Sequence, residues 1–194
     1  MEQSTVTDYE LPPDVIALVP MRNVVLFPHV LMPITVGRTR SIATIEHALH
    51  SKASIGIVLQ KDASVDNPTM EALCRMGTVV NVARHVASED GTHHVICQGI
   101  ERFQIEELID DYPFIAARIK RVQESTHITT QTEALALQLR ERAIEILSLL
   151  PGVPAELAYA LQATRAPSHL ADITASLLDA EVSEKQMLLE TTDT

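Results

Sequence analysis

The sequence predicts an α+β protein in which a β-rich N-terminal lobe precedes an all-α C-terminal lobe. From residue 14 to about residue 124, apolar residues alternate with polar ones or form short β-branched runs, as strands do. From about residue 125 they recur every three or four positions, which is the spacing of one face of a helix. We therefore predict a loose tail at 1–13, a β-rich lobe at 14–124 and a helical lobe at 125–194.

The β-rich lobe opens with two predicted strands, at about 14–19 and 31–36, joined by a hydrophobic connector. Pro28 keeps that connector from becoming helical, because proline lacks an amide hydrogen and clashes with the preceding turn. Pro33 cannot donate a ladder hydrogen bond, so the second strand should lie on a sheet edge or start at a bulge. A turn at Gly37 then leads into a predicted helix over about 40–51.

The rest of this lobe contains the clearest local signal, a hairpin turn at Asp90-Gly91 between two strand-like runs. A second signal is the β-branched run at 55–59, which predicts a buried strand. The predicted elements in order are strand 55–59, a short helix 70–75 that ends at Gly77, and strands 78–87, 93–98, 101–109 and 113–123.

Four helices are predicted in the C-terminal lobe. Thr130 and Glu133 form a capping-box pattern that opens the first, and Pro151-Gly152 ends it. Pro154 and Pro167 suit the first turns of the second and third helices. Ser183 and Gln186 form another capping pattern for a fourth, which is unfinished at Thr194 and suggests a longer parent chain. The main inward stripe of the first helix is predicted to be Leu135, Leu139, Ala143, Ile146 and Leu150, and that of the third Leu170, Ile173, Leu177 and Leu178.

Composition excludes several classes of protein. Hydrophobic residues make up 46% and charged residues 21%, as in an ordinary globular chain, and no apolar run is long enough to cross a membrane. The polar N-terminus is unlike a secretory signal or a transit peptide. A net charge of −11 opposes nucleic-acid binding, which requires cations to neutralise phosphates. Cys74 and Cys97 lack metal-ligand spacing, so we expect two reduced, buried thiols.

An ordered series of short segments runs through the β-rich lobe. The segments are PMRNVVLFPH at 20–29, PI at 33–34, VGRTRS at 36–41, QKD at 60–62, VD at 65–66 with Pro68, MGTV at 76–79, DGT at 90–92 and QGIERF at 98–103. No single segment is diagnostic, but in this order and spacing they resemble the N-terminal domain of the Lon family of ATP-dependent proteases. The resemblance is dense over about 14–124 and looser over the helical remainder.

This resemblance implies a PUA-like, partly closed β-barrel followed by a helical bundle that leads into a long helix. It also implies a non-catalytic domain that binds unfolded, damaged or degron-bearing proteins and helps to organise a homo-hexamer in the bacterial cytoplasm. The parent would be an ATP-dependent serine endopeptidase, whose ATPase module, with ATP and Mg, and Ser-Lys peptidase lie downstream of the matching region. The alternative is a stand-alone adaptor of the same type that has no protease.

The residues themselves predict no catalytic, cofactor or metal site in this chain. No lysine follows a glycine, so there is no phosphate-binding loop, and the glycines form no dinucleotide motif. His93 and His94 are consecutive and should point to opposite faces of a strand, although His85 could approach one of them. The neighbouring carboxylates Glu106-Glu107 and Asp110-Asp111 should diverge into solvent rather than face each other as an acid–base pair.

The remaining functional signal is a recognition surface in the opening stretch. An apolar loop with methionines nearby could adapt to varied unfolded chains. The alternative, which the sequence favours for Leu26 and Phe27, is that they close the end of the barrel. The helix dipole does not stabilise a cation near the N-terminus of a helix. The two arginines near the start of the first helix therefore either contact a partner or are simply solvated. The substrate-binding hypothesis comprises Met21, Leu26, Phe27, Pro28, Met32, Arg38 and Arg40.

Overall fold

The structure is a computed structural model that describes residues 9–124, 128–152 and 155–192. Within it the chain divides into two compact units, one ending at Val122 and one beginning at Gln123. We refer to them as the β unit and the helical unit. The first eight residues of the predicted tail and the predicted helix start at Pro154 lie outside the described residues.

The β unit has six strands and one long helix. The strands are β1 (Val15–Met21), β2 (Leu31–Val36), β3 (Ile55–Gln60), β4 (Leu73–Ala87), β5 (His93–Ile109) and β6 (Ile115–Val122), and the helix is α1 (Thr39–Ser51). Two predictions need correction. The helix predicted at 70–75 is only a 3₁₀ turn at Met70–Ala72, because the residues after it already pair with β3 as part of β4. The strands predicted at 93–98 and 101–109 are one strand, since Gly99 remains in register with Val80.

The strand order is β2-β5-β4-β3-β1-β6, with an additional pairing between β5 and β6. β1 and β3 run parallel, and the other pairs are antiparallel. The length of β5 allows its first half to pair with β2 and its second half with β6. The pairings β5-β4-β3-β1-β6-β5 therefore return to their starting strand. β2 lies at one end of the order with Pro33 in it, which confirms the prediction of an edge strand.

The sheet is buried on both faces, and alternate residues of β1 enter two different hydrophobic clusters. Val15, Ala17 and Val19 pack in the cluster that includes residues of α1. Ile16 and Leu18 pack in a second cluster with Phe103 and Ile105. This explains why β1 is apolar at almost every position rather than at every second one.

Phe103 requires two glycines around it. A Cβ added at Gly56 would lie 2.8 Å from the Phe103 ring, and one added at Gly77 would lie 2.7 Å from the same ring atom. At Gly77 the added carbon would also be 2.4 Å from the carbonyl oxygen of Ile57, which cannot move aside as a side chain can. The second cluster is therefore built around one aromatic ring set against bare backbone.

The helical unit contains α2 (Thr130–Leu149), α3 (Ala155–Ala163), α4 (Pro167–Leu177) and α5 (Val182–Glu190). Pro167 occupies the first turn of α4, as predicted. The capping predictions are displaced: Thr129 caps α2 by accepting a hydrogen bond from the amide of Thr132 at 3.1 Å, and the capping box of α5 is Glu181 with Glu184. The last helix ends at Glu190, and Thr191 is its C-cap residue. No helix within the described ranges is long and apolar enough to cross a bilayer.

The buried face of α2 differs from the predicted stripe. Leu135, Ile146 and Leu150 are 58%, 57% and 51% exposed, whereas Ala136 and Ala143 are buried. The two alanines pack with Leu161 of α3 and Leu170 of α4, together with the partly buried Leu139, Ile144, Leu147 and Ile173. Small side chains allow helices to approach closely, which gives the alanine face an advantage that hydrophobic spacing alone does not reveal. Leu177 and Leu178 of the predicted stripe of α4 are also exposed, at 41% and 45%.

Candidate functional site

The apolar loop of the opening stretch belongs to the core. Leu26 is 1% exposed and Phe27 is 0% exposed, and Pro28 is buried as well. The hypothesis of an exposed patch is therefore wrong for these three residues, and the alternative of an interior role fits the structure. An aliphatic core with few aromatic rings makes each buried ring a large share of the apolar surface removed from water.

Backbone hydrogen bonds hold this loop against β5. The amide of His29 donates to the carbonyl of Gly99 at 3.0 Å, and the amide of Gly99 donates to the carbonyl of Val30 at 2.9 Å. The hydroxyl of Thr78 donates to the carbonyl of Leu26. A Cβ added at Gly99 would lie 2.2 Å from the carbonyl oxygen of Phe27, so only glycine lets the loop come this close.

Two other members of the predicted site have structural contacts. Met32 is partly buried and packs against the first hydrophobic cluster. Arg40 donates a hydrogen bond to the carbonyl of Phe114 at 3.0 Å and lies 3.7 Å from a carboxylate oxygen of Asp110. These contacts join α1 to the segment that leads into β6, and a role of Arg40 in binding substrate stays a prediction.

The residues on either side of the buried loop line an open cleft of about 450 Å³. We call it the α1 cleft; it is lined by residues 19–24, by Thr35, Val36, Gly37 and Arg38, and by Ser41. Met21 and Arg38 are the two predicted site residues that it brings together. Among the described residues that line it are two arginines, Arg22 and Arg38, and no carboxylate.

Arg38 is held by neutral acceptors. Its guanidinium donates to the carbonyl of Pro20 at 2.9 Å, to the side-chain oxygen of Gln60 at 3.0 Å and to the carbonyl of Asp66 at 3.2 Å. Burial, and then the charge of nearby Arg22, lower the pKa of Arg38, while the charge of Asp66 opposes them. The carboxylate of Asp66 is paired with Arg22 at 2.7 Å, so two cations share one exposed acidic group.

The N-terminus of α1 opens at the same cleft. Arg38 is the N-cap residue but its side chain makes no capping hydrogen bond, and the first turn contains no acidic residue. Ser41, in that first turn, is only 4% exposed, and its hydroxyl has no hydrogen-bond partner among the described residues. One turn later, by contrast, the buried hydroxyl of Thr44 donates to the carbonyl of Leu18 at 2.9 Å. The cleft therefore combines positive charge with the uncapped N-terminus of a helix.

Sequence reasoning missed a second surface, which lies on the helical unit. Leu135, Ile146 and Leu149 form an exposed apolar stripe on α2, and Leu149 is 78% exposed. On α3, Tyr159 is 73% exposed. The signal was present in the sequence, because α2 carries apolar residues around more of its circumference than one buried face can use.

The histidines of the hairpin form one close pair. The Nε2 atom of His85 lies 3.0 Å from Nδ1 of His93, which confirms that His85 approaches one of the two consecutive histidines. His94 instead lies 3.1 Å from the hydroxyl of Thr35. Burial and the adjacent His93 lower the pKa of His85, and Glu46 opposes this shift. The pair supplies two nitrogen atoms, whereas a zinc site takes three or four protein ligands.

Carboxylates and thiols follow their predicted environments. Asp110 and Asp111 are exposed, and Glu107 is engaged by Arg118 in a surface ion pair. Cys74 and Cys97 are buried thiols rather than disulfide partners, and burial raises the pKa of the Cys97 thiol to about 12. A thiol with so high a pKa stays protonated near neutral pH and is a poor nucleophile.

Comparison with known proteins identifies the family to which the chain is related. Residues 15–194 match the model of the ATP-dependent protease La (LON) substrate-binding domain. The chain is 42% identical over 192 residues to a Lon protease of Paraburkholderia phytofirmans and 42% identical over 193 residues to one of Phenylobacterium zucineum. These alignments cover 98% and 99% of the chain but 24% of each relative, so the chain spans about a quarter of their length.

A solved structure shares the fold. The N-terminal domain of a Mycobacterium avium complex Lon protease superposes with a TM-score of 0.76 at 18% identity. The match covers 92% of this chain and 91% of that one.

Proposed function

Because this chain belongs to the family of Lon substrate-binding domains, we propose that it binds unfolded, damaged or degron-bearing proteins for degradation by attached protease modules. Its own contribution is recognition rather than a chemical step. The family model it matches describes a substrate-binding domain, and substrate recognition is the role that this relationship supports.

The observation that carries this function is the α1 cleft. Its volume of about 450 Å³ lies within the range of ligand-binding pockets. Met21 and Val24 give it adaptable and aliphatic walls, while Arg22 and Asn23 provide donors at its rim. An unfolded polypeptide offers complementary features, since it exposes both apolar side chains and unpaired carbonyl groups.

The complete protein would combine this chain with modules that perform the chemistry. We expect a homo-hexamer in the bacterial cytoplasm, with an ATPase module that uses ATP and Mg and a Ser-Lys peptidase. The support is that relatives called Lon protease are about four times as long as the aligned region. Because the chain aligns with part of these longer relatives, a stand-alone adaptor without a protease is the weaker alternative.

The finer fold assignment is a PUA-like, partly closed barrel for the β unit. Its support is the ring of pairings in which β5 meets both β4 and β6. Tight packing of Phe103 against Gly56 and Gly77 suits the narrow interior of a small barrel. β2 would then extend the sheet outside the closed ring.

Site-specific photo-crosslinking tests where unfolded protein binds. A photoreactive residue at exposed Asn23 should capture unfolded casein, whereas one at exposed Lys120 serves as the matched control. Lys120 lies beyond the partner of Val15, at the opposite end of β1 from the cleft. A third probe at Leu149 reports on the exposed stripe of α2. Equal capture at Asn23 and Lys120, or capture at Leu149 alone, would show that the cleft is not the binding site.

A further inference from the structure

The geometry points to a specific ligand for the α1 cleft: the C-terminal carboxylate of a polypeptide whose last residue is apolar. This inference rests on the function proposed above, because it assumes that the cleft receives polypeptide. It goes further by stating which part of the chain is recognised and by which atoms. Three independent features of the cleft support it.

The first feature is charge. The whole chain has a net charge of −11, yet the described lining of the cleft carries Arg22 and Arg38 without any carboxylate. The adjacent acidic side chain, that of Asp66, is 78% exposed and is shared by both arginines. A local excess of positive charge in a strongly acidic protein attracts an anion while the rest of the surface repels one.

The second feature is a group of hydrogen-bond donors that face the cleft. The N-terminus of α1 lacks a side-chain cap and an acidic residue in its first turn, so its positive dipole end is not neutralised locally. Ser41 lines the cleft and is only 4% exposed, and its hydroxyl makes no hydrogen bond to another described residue. This hydroxyl is not buried without a partner, so it is open to the cleft and can donate to a ligand there. A carboxylate oxygen seated at the helix N-terminus would accept that hydrogen bond.

The third feature is the apolar part of the lining, to which Val19, Met21, Val24 and Val36 contribute. Inorganic phosphate would satisfy the donors but leave this surface in contact with water. An internal segment of a chain would cover the apolar surface but bring only neutral carbonyls to the donors. A chain terminus brings a full negative charge and an adjacent side chain together, which is how terminal carboxylates are commonly captured.

The test compares two peptides of the same sequence that end in leucine, one with a free C-terminal carboxylate and one with a C-terminal amide. Fluorescence anisotropy with the full 194-residue chain measures both affinities. We expect the free acid to bind at least about tenfold more tightly, since a charge-assisted hydrogen bond contributes about that factor. Arg22→Gln and Ser41→Ala should each reduce the affinity for the acid about tenfold and leave that for the amide unchanged.

Stability measurements separate a binding effect from misfolding. Because the Ser41 hydroxyl makes no hydrogen bond to another described residue and is open to the cleft, Ser41→Ala should not lower the melting temperature, although it weakens binding. Arg75→Gln is the matched control for lost charge, since Arg75 is exposed on β4 and does not line the cleft. This variant should bind both peptides like the parent chain.

The outcomes distinguish the two proposals. Equal affinity for acid and amide, with both weakened by Arg22→Gln, would overturn the carboxylate inference and leave the cleft as a polypeptide site. Binding of inorganic phosphate as tight as that of the acid would also overturn it, because the apolar residue would then contribute nothing. If neither peptide binds, the carboxylate inference fails, and capture of casein at Asn23 decides whether the broader function stands.

Discussion

Replacing Phe27 by alanine tests the central correction that the structure makes to the opening stretch. An exposed recognition residue could be truncated with little loss of stability, as surface substitutions usually can. Phe27 is instead 0% exposed, and its neighbour Leu26 is fixed through a carbonyl that accepts a hydrogen bond from Thr78. The loop cannot collapse freely into the space left by the ring, because its backbone is hydrogen-bonded to both the amide and the carbonyl of Gly99.

We therefore expect Phe27→Ala to lower the free energy of unfolding of the β unit by about 3–5 kcal/mol. A domain of roughly this size loses about 4 °C of melting temperature per kcal/mol, which corresponds to a fall of about 12–20 °C. Thermal melts and urea titrations followed by circular dichroism measure both quantities. The slope of the urea titration should stay the same if only stability changes.

Leu31→Ala is the matched control, because Leu31 is an apolar residue of the same stretch but is 62% exposed. It should change the free energy of unfolding by less than about 0.5 kcal/mol. If Phe27→Ala destabilises the β unit no more than Leu31→Ala does, the loop is not part of the core and the reasoning from burial fails.

Three further predictions concern other parts of the β unit. Gly99→Ala should destabilise it by about 1–3 kcal/mol in a urea titration, because the added carbon meets the backbone carbonyl of Phe27. The lowered pKa of His85 means that the unfolded state binds a proton at this residue more readily than the folded state does. The folded protein therefore keeps its full stability above about pH 6.5 and loses part of it as the pH falls. His85→Gln should therefore reduce the decline in stability between about pH 7 and about pH 5. Cys97 should resist a thiol reagent in the native protein and react once denaturant exposes it, as a colorimetric assay would show.

Each of these has a control within the chain. Gly37→Ala should be tolerated, because the added carbon would lie 3.6 Å from Thr92, an ordinary contact. His50→Gln removes an exposed histidine and should leave the acid-side decline unchanged. A destabilised Gly37→Ala variant, an equal effect of both histidine changes, or rapid native modification of Cys97 would each contradict the corresponding argument.

Local sequence determined the order and type of most elements. Proline and glycine restrict the backbone at particular positions, which is why Pro33 already indicated an edge strand and Asp90-Gly91 a hairpin turn. The change from strand-like to helical spacing lies near residue 125, and the boundary between the two compact units falls between Val122 and Gln123 along the chain. These features depend on neighbours in sequence, so a single chain is enough to show them. The order and spacing of the short segments likewise sufficed to indicate the family.

The candidate site could be identified only from the tertiary structure, because the burial of a residue depends on which distant segments cover it. Phe27 and Met21 are both apolar and lie six positions apart in one stretch, yet one is in the core and the other lines a cleft. The difference arises from Gly99, a residue of β5 that brings the backbone of the loop against the sheet. Nothing in the spacing of the opening stretch encodes that contact.

The same reason explains the helical unit and the α1 cleft. α2 offers two stripes at helical spacing, and only the packing of α3 and α4 selects the one with Ala136 and Ala143. Arg38 and Arg40 are two residues apart, but the acceptors around them come from residues 20, 60 and 66 in one case and from 110 and 114 in the other. The sequence by itself therefore determined the type and order of most elements and indicated the family. Which side chains face a ligand was decided by long-range contacts, since these set the local dielectric, charge and hydrogen-bond partners.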